Sequence, residues 1–155
     1  MKRWIVCAAA LAVVLLAGKS GAGTDIARLE PVQILQVSGS AGQVAVRTDT
    51  GQHGEGDDLD AAVADMKAAA DGEIFLDTVE CLLIDRDSID WLPALMQQLR
   101  PACRICRCDG VPDLEAAASY LSIHKPGVTL RQYRQGEYQL PLLYQREGRM
   151  YLAEP

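Results

Sequence analysis

The chain has 155 residues, of which 15 are basic and 21 are acidic, so its formal net charge is −6 at pH 7. Once an export segment is set aside, a chain of this length is expected to form one domain around one core. The acidic balance argues against a nucleic-acid-binding face and against charge-driven binding to anionic lipid headgroups. We therefore expect no nucleic acid as a partner, and membrane association only through the N-terminal segment.

Residues 1–23 are typical of a bacterial signal peptide or an N-terminal anchor. Lys2 and Arg3 precede an apolar run at residues 4–17, and no acidic residue comes before Asp25. The run ends in the sequence LLAGK, which is typical of a lipoprotein cleavage box with Lys19 in place of the lipid-bearing cysteine. It is shorter than the about 20 apolar residues of a spanning helix, so cleavage and uncleaved anchoring both stay open. In either case the sequence predicts an exported, extracytoplasmic protein that is secreted or membrane-anchored.

Residues 24–155 begin with two strand patterns and a helix. Apolar and alternating residues predict strands at 32–38 and 43–49, joined by a turn into an antiparallel hairpin. Residues 50–58 are rich in Gly and Asp and are expected to be a solvated loop, in which Asp57 or Asp58 caps a helix. Four apolar residues at helical spacing predict this first helix, Leu59, Val63, Met66 and Ala70.

The middle of the chain continues with alternating strands and helices. The apolar run at residues 78–84 is typical of a strand that is buried on both faces. Asp87 or Ser88 is expected to cap the second helix, whose first turn contains Pro93, because a missing N–H is tolerated there. The next elements are a strand at residues 102–108 and a third helix that opens at Pro112-Asp113.

Residues 128–155 are expected to form a β tail. Strand patterns lie at 130–133, 138–145 and 150–153, and Glu147-Gly148 predicts a hairpin turn between the last two. The fold class is therefore α/β (α+β), a single domain with a mixed β-sheet packed by about three helices and a C-terminal β-hairpin. The predicted core consists of Val32, Ile34, Val44, Val46, Val63, Met66, Leu82, Ile84, Leu92, Leu95, Ile105 and Leu114.

Cysteines are the candidate site residues outside the export segment, and they are Cys81, Cys103, Cys106 and Cys108. Exported proteins can form disulfides, and clustered thiolates can bind zinc. A strand places Cys106 and Cys108 on one face and Cys103 on the other, which opposes convergence of three ligands on one metal. We prefer free structural thiols, with a disulfide from Cys81 to one of the other three as the main alternative. No metal or cofactor is expected.

Other polar clusters have simpler interpretations. His53 is close in sequence to Glu55, Asp57 and Asp58, but these carboxylates lack the regular alternate spacing of a calcium loop. A capped helix start with solvated charge explains them better. The sequence contains no nucleophile elbow and no phosphate loop, and we identify no catalytic set, so the chain is predicted not to be an enzyme.

Three segments, taken with the order of the elements, are similar to one protein family. They are residues 16–30, which contain LAG and TDIARLE, residues 59–84, which contain LDAAV and IFLDTVECLLI, and residues 92–110, which end in Asp-Gly. They resemble the N-terminal domain of Ger(x)C spore germination proteins, the lipoprotein C subunits of germinant receptors, over about residues 24–121. The chain departs from the family at Lys19, at Thr78, where a His is common, and at Asp85, where a Gly follows the buried strand.

The resemblance implies a non-enzymatic interaction module on the outer side of the membrane. Its partners would be membrane receptor subunits, and its role would lie in spore germination, in sporulation or in the cell envelope. The alternative, from another class, is a small secreted thiol, disulfide or metal-binding protein that uses the cluster from Cys103 to Cys108.

Overall fold

A computed structural model describes residues 29–40, 42–136 and 139–155, so the predicted export segment lies outside the described residues. Within these ranges, no helix is long and apolar enough to cross a membrane. The strands are β1 (Leu29–Pro31), β2 (Ile34–Ser40), β3 (Gln43–Thr48), β4 (His53–Gly56), β5 (Glu73–Phe75), β6 (Cys81–Ile84), β7 (Arg104–Cys108), β8 (Leu142–Arg146) and β9 (Arg149–Ala153). The α-helices are α1 (Leu59–Ala69), α2 (Leu92–Gln98), α3 (Leu114–Ile123) and α4 (Leu130–Gln135), with short 3-10 turns at Leu76–Thr78 and Ile89–Trp91.

Seven of the strands form one mixed sheet in the order β4-β3-β2-β6-β7-β8-β9. The four central strands, β2, β6, β7 and β8, run parallel to one another. The antiparallel strands β3 and β4 extend one side, and the antiparallel strand β9 extends the other. Strands β1 and β5 pair in parallel outside this sheet. The predicted mixed sheet with a C-terminal hairpin is therefore confirmed.

Helices cover both faces of the sheet, and alternate residues of each central strand enter different cores. Leu35, Leu82 and Ile105 pack with apolar residues of α1, α2 and α4. The residues that alternate with them, such as Leu83 and Cys106, pack with α3 on the opposite face. Because successive side chains of a strand point to opposite faces, the apolar run of β6 serves both cores, and all four of its residues are buried as predicted. Every residue of the predicted core is buried.

Local signals set the ends of several elements as expected. Asp58 Oδ1 accepts a hydrogen bond of 2.8 Å from the backbone N–H of Ala61 and so caps α1. Asp113 caps α3 in the same way. Glu147 and Gly148 have positive φ angles of 52° and 75°, which suit the tight turn between β8 and β9.

The prediction of a solvated loop over residues 50–58 is wrong, because β4 forms within it. Gly54 lies under α1, where an added Cβ would stand 2.3 Å from the carbonyl oxygen of Ala62. Gly54 contributes to the Gly-rich composition that predicted a loop. In the structure, its missing side chain lets α1 pack directly on the backbone of β4. The chain thus gains a third strand in its N-terminal antiparallel segment.

The prediction of a strand at residues 130–133 is also wrong, because these residues lie in α4. Thr129 Oγ1 accepts a hydrogen bond from the N–H of Gln132, and the Gln132 side chain accepts one from the N–H of Thr129. This reciprocal capping box fixes a helix start, and Leu130 then packs into the core shared with α1 and α2. The expected β tail is therefore limited to β8 and β9.

Neither Asp87 nor Ser88 caps the second helix as predicted. Asp85 Oδ1 instead accepts a hydrogen bond of 2.8 Å from the N–H of Ser88, and the hydroxyl of Ser88 donates to the carbonyl of Gly39. The helix starts from a 3-10 turn without a side-chain cap, and Pro93 lies in its first turn as expected. Through these hydrogen bonds, Asp85 and Ser88 connect the end of β2 to the loop that follows β6.

Candidate functional site

The structure places the four candidate cysteines in the two cores. Cys81, at the start of β6, lies with Cys106 and Cys108 of β7 in the core under α3, whereas Cys103 lies in the opposite core. The predicted division between the two faces of the sheet is confirmed. All four thiols are free and buried. Within the described residues, no group of three or more His, Cys, Asp or Glu side chains could hold a metal ion.

The structure brings Cys81 and Cys106 together on adjacent strands. Their hydrogen bond is the largest cause of a raised pKa at Cys81, burial is the second, and the nearby charge of Arg104 acts in the opposite direction. Burial also raises the pKa of Cys103 to about 12 and that of Cys108 to about 11. Because the thiolate is the nucleophile and the metal ligand, the raised pKa values of Cys81, Cys103 and Cys108 disfavour the reactive form of these three thiols near neutral pH.

The acidic segment around His53 forms part of the scaffold. His53 is an exposed residue of β4, and Asp58 caps α1, as the sequence suggested. The backbone N–H of Glu55 donates a hydrogen bond of 3.0 Å to Asp65 Oδ2 on α1. The carboxylate of Asp58 therefore stabilises the start of α1, and that of Asp65 stabilises the edge strand β4.

A cavity of about 250 Å³ opens where the central parallel strands begin, on the face covered by α3. Ile34, Cys81 and Arg104 form one row across β2, β6 and β7, since each pairs with the next in the strand register. We call this cavity the basic cleft. Its lining consists of Gln33, Ile34, Glu80, Cys81, Arg100, Ala102, Arg104, Ala118, Leu121, Ser122, Lys125 and Pro126.

Three cations and one carboxylate line the basic cleft, namely Arg100, Arg104, Lys125 and Glu80. The only ion pair within the described residues joins Arg146 to Glu147 elsewhere, so none of the three cations of the cleft forms an ion pair with a described carboxylate. In an acidic chain, this is a local excess of positive charge at the mouth of a cavity. Such an arrangement attracts an anionic group.

Backbone carbonyls hold the two guanidinium groups of the basic cleft. Arg100 Nη2 donates to the carbonyls of Thr78 and Val79 at 3.4 and 3.5 Å. Arg104 Nη1 donates to the carbonyl of Pro126, which follows α3. A guanidinium has five N–H donors, so each group is positioned by these bonds and keeps further donors for a ligand.

Sequence analysis missed the basic cleft because its charged residues are far apart along the chain. Glu80 precedes β6, Arg100 follows α2, Arg104 begins β7 and Lys125 follows α3. The available signal was the position of Glu80 and Arg104 at the starts of two strands, since the starts of parallel strands meet at one edge of a sheet.

Comparisons with family models, with curated proteins and with solved structures find no match for this chain. The features of the chain that bear on its function are therefore the basic cleft, the thiols and the sequence resemblance.

Proposed function

We propose that the chain is a non-enzymatic extracytoplasmic interaction module, in the role that its resemblance to the N-terminal domain of Ger(x)C proteins implies. Its partners would be membrane receptor subunits, and its process would be spore germination or a related function of the cell envelope. The observation that carries the proposal is the basic cleft, where Arg100, Arg104 and Lys125 line a cavity and form no ion pair with a carboxylate of the described residues. A cavity with a charged rim and an apolar floor is the usual form of a binding site.

The edges of the sheet support the choice of the basic cleft as the binding surface. The hydroxyl of Tyr120 on α3 accepts a hydrogen bond of 3.2 Å from the N–H of Leu152 on the edge strand β9. Asp65 covers the N–H of Glu55 on the opposite edge strand β4. A partner that added a strand at either edge would have to displace these side chains. Recognition through the cleft requires no such displacement.

Site-specific photo-crosslinking in the native envelope tests the interaction. A photoreactive residue at Ser122, on the exposed rim of the cleft, is expected to form an adduct with a membrane subunit of a germinant receptor. The matched control is Glu115, which is exposed at the other end of α3. Adducts with the same proteins from both positions, or no receptor subunit among the adducts of Ser122, would contradict the proposal.

Protease treatment of intact protoplasts tests the location. If the module is held at the outer face of the membrane, protease should degrade it while a cytoplasmic marker protein stays intact. If the module is released, it should instead be recovered in the medium. Survival of the module together with the marker would place it inside the cell and contradict this part of the proposal.

The alternative function, a secreted thiol or disulfide protein, is favoured by the position of Cys81 and Cys106 on adjacent strands in the same core. Thiol counting without reductant separates the two proposals. In a chain cleaved after residue 23, an interaction module with free structural thiols yields all four after unfolding, whereas a protein with one disulfide yields two. An uncleaved chain adds the thiol of Cys7 to either count. Bound zinc in the native intact mass would instead support a metal-binding role.

A further inference from the structure

The size of the basic cleft limits its occupant. A volume of about 250 Å³ corresponds to roughly eight water molecules at about 30 Å³ each. One amino-acid residue with a short side chain fits within that space beside a few water molecules, whereas drug-sized ligands need cavities of roughly 300–1,000 Å³. The cleft therefore accommodates one residue or a small acid.

The charged groups of the basic cleft limit the chemistry of the occupant. Arg100 and Arg104 present planar guanidinium groups, which bind carboxylates and phosphates through paired hydrogen bonds. Glu80 lies among the same lining residues, and its charge opposes a phosphate dianion more strongly than a carboxylate. Glu80 also offers an acceptor to an N–H group beside the bound carboxylate.

The floor of the basic cleft is apolar. Ile34, Cys81 and Leu121 are at most 4 % exposed, and Ala118 lines the same cavity from α3. These side chains would contact a small apolar group of the ligand. The cations, the single acceptor and the apolar floor together match a residue that has a free α-carboxylate, an N–H group and a short apolar side chain.

We propose that the basic cleft binds the C-terminal residue of a peptide or protein partner through its α-carboxylate. This proposal rests on the proposed function and specifies the ligand of the same site. A C-terminal residue carries a net charge of −1, whereas a free amino acid is a zwitterion without net charge. The three cations and one anion of the cleft therefore favour the C-terminal residue.

NMR titration of the isotope-labelled chain with N-acetyl-L-valine tests the proposal. Chemical-shift changes are expected at Glu80, Arg104 and the end of α3, with a Kd on the order of millimolar for so small a ligand. N-acetyl-L-valinamide, which lacks the carboxylate, should bind at least about tenfold more weakly, because a neutral amide cannot form charge-assisted hydrogen bonds with the guanidinium groups.

Three substitutions test the assignment of the residues. Arg104→Gln should weaken N-acetyl-L-valine binding by about tenfold or more. Lys125→Gln, at an exposed position that provides no described contact to the fold, should weaken it by about two- to fivefold. Arg134→Gln, an exposed residue of α4 outside the cleft, is the matched control and should change nothing. Unchanged binding in both cleft variants would overturn the assignment, and the result for Lys125 stands even if Arg104→Gln fails to fold.

Glu80→Gln separates the carboxylate from the phosphate. It should increase binding of inorganic phosphate and leave N-acetyl-L-valine binding within about threefold, since the Gln carbonyl still accepts an N–H. Tighter binding of phosphate than of N-acetyl-L-valine by the unsubstituted chain would overturn the proposal in favour of a phosphate site.

Two further outcomes would also overturn it. Free L-valine that binds as tightly as N-acetyl-L-valine, or more tightly, would identify a free amino acid as the ligand. An absence of chemical-shift changes at 20 mM N-acetyl-L-valine, about tenfold above the expected Kd, would show that the cleft does not bind a C-terminal carboxylate. Neither outcome would affect crosslinking of Ser122 to a receptor subunit, so failure of this inference is distinguishable from failure of the proposed function.

Discussion

At the scale of single residues, the most unusual feature is a fully buried amide. Gln36 lies on β2 beneath α3, and its Nε2 donates to the carbonyl of Gly110 at 3.1 Å and to the sulfur of Cys108 at 3.6 Å. Its Oε1 is buried and has no hydrogen-bond partner among the residues that the structure describes. The Gln36 side chain thus connects β2 to the loop after β7, and burial removes its Oε1 from solvent.

Two substitutions of Gln36 should have different effects on stability. Gln36→Met keeps most of the volume and removes the unpartnered oxygen along with the two hydrogen bonds, so the free energy of unfolding should change by less than about 1 kcal/mol. Gln36→Ala leaves a cavity and should lower it by about 2–3 kcal/mol. Urea unfolding measures both. Equal losses in the two variants would mean that the hydrogen bonds, and not the packing, dominate.

The buried thiols predict a loss of stability in alkaline solution. The pKa values of Cys103 and Cys108 are raised from 9.0 to about 12 and about 11, so the folded chain holds these protons more tightly than the unfolded chain. Their contribution is complete below pH 9 and is lost as the pH rises towards the folded values, by up to about 1.4 kcal/mol per pH unit for each group.

Urea unfolding at pH 8, 9 and 10 should therefore show a free energy of unfolding that falls above pH 9. Cys103→Ala should be less stable at pH 8, because a buried side chain is truncated, but its decline with pH should be shallower. A decline as steep as that of the unsubstituted chain would show that Cys103 is not a source of the pH dependence.

At the scale of elements, the close packing of α1 on β4 depends on glycine. An added Cβ at Gly54 would meet the Ala62 carbonyl oxygen and the Met66 nitrogen, both at 2.3 Å. These are backbone atoms of a helix and cannot rotate away as a side chain could. The helix would have to move off the strand, which would also open the core beneath it.

Gly54→Ala should consequently lower the free energy of unfolding by about 3 kcal/mol or more, at the upper end for overpacking. Gly51→Ala is the matched control, because Gly51 has a φ of +87° but open space around it. It should lower stability by only about 1–2 kcal/mol, the strain of a left-handed residue. Thermal unfolding followed by circular dichroism compares the two. Similar losses would contradict the packing explanation.

At the scale of the whole molecule, side chains on helices of opposite faces protect the two edges of the sheet. Asp65 on α1 covers β4, and Tyr120 on α3 covers β9. Exposed strand edges are templates for pairing with other chains. Protection of both edges is therefore expected to keep the sheet from extending between molecules.

Removal of both covers should promote self-association. Tyr120→Phe retains the ring that stacks on His124 at 4.5 Å but loses the hydroxyl, and Asp65→Ala removes the carboxylate. The double variant is expected to sediment as concentration-dependent oligomers, whereas Tyr133→Phe, away from both edges, should sediment like the unsubstituted chain. A double variant indistinguishable from this control would show that the covers do not limit association.

Features that depend on neighbours within a turn or two can be predicted from the amino-acid sequence. Three kinds of local pattern predicted their elements correctly, because backbone hydrogen bonding and periodic burial are encoded locally. They are the alternation of Val44 and Val46 in a strand, Asp58 and Asp113 at helix starts, and the turn at Glu147-Gly148. The predicted core was correct for the same reason. Local signals were also available but unused at Thr129 and Gln132, where a capping box opens α4.

Features that depend on distant partners follow from the assembled fold and have no local signal. Gly54 belongs to a strand because α1 and β3 surround it, and Cys81 meets Cys106 because β6 and β7 are adjacent. The basic cleft is assembled from Glu80, Arg100, Arg104 and Lys125 for the same reason. No local pattern links these residues, since strand order and helix placement are set by burial of whole faces and not by neighbouring sequence.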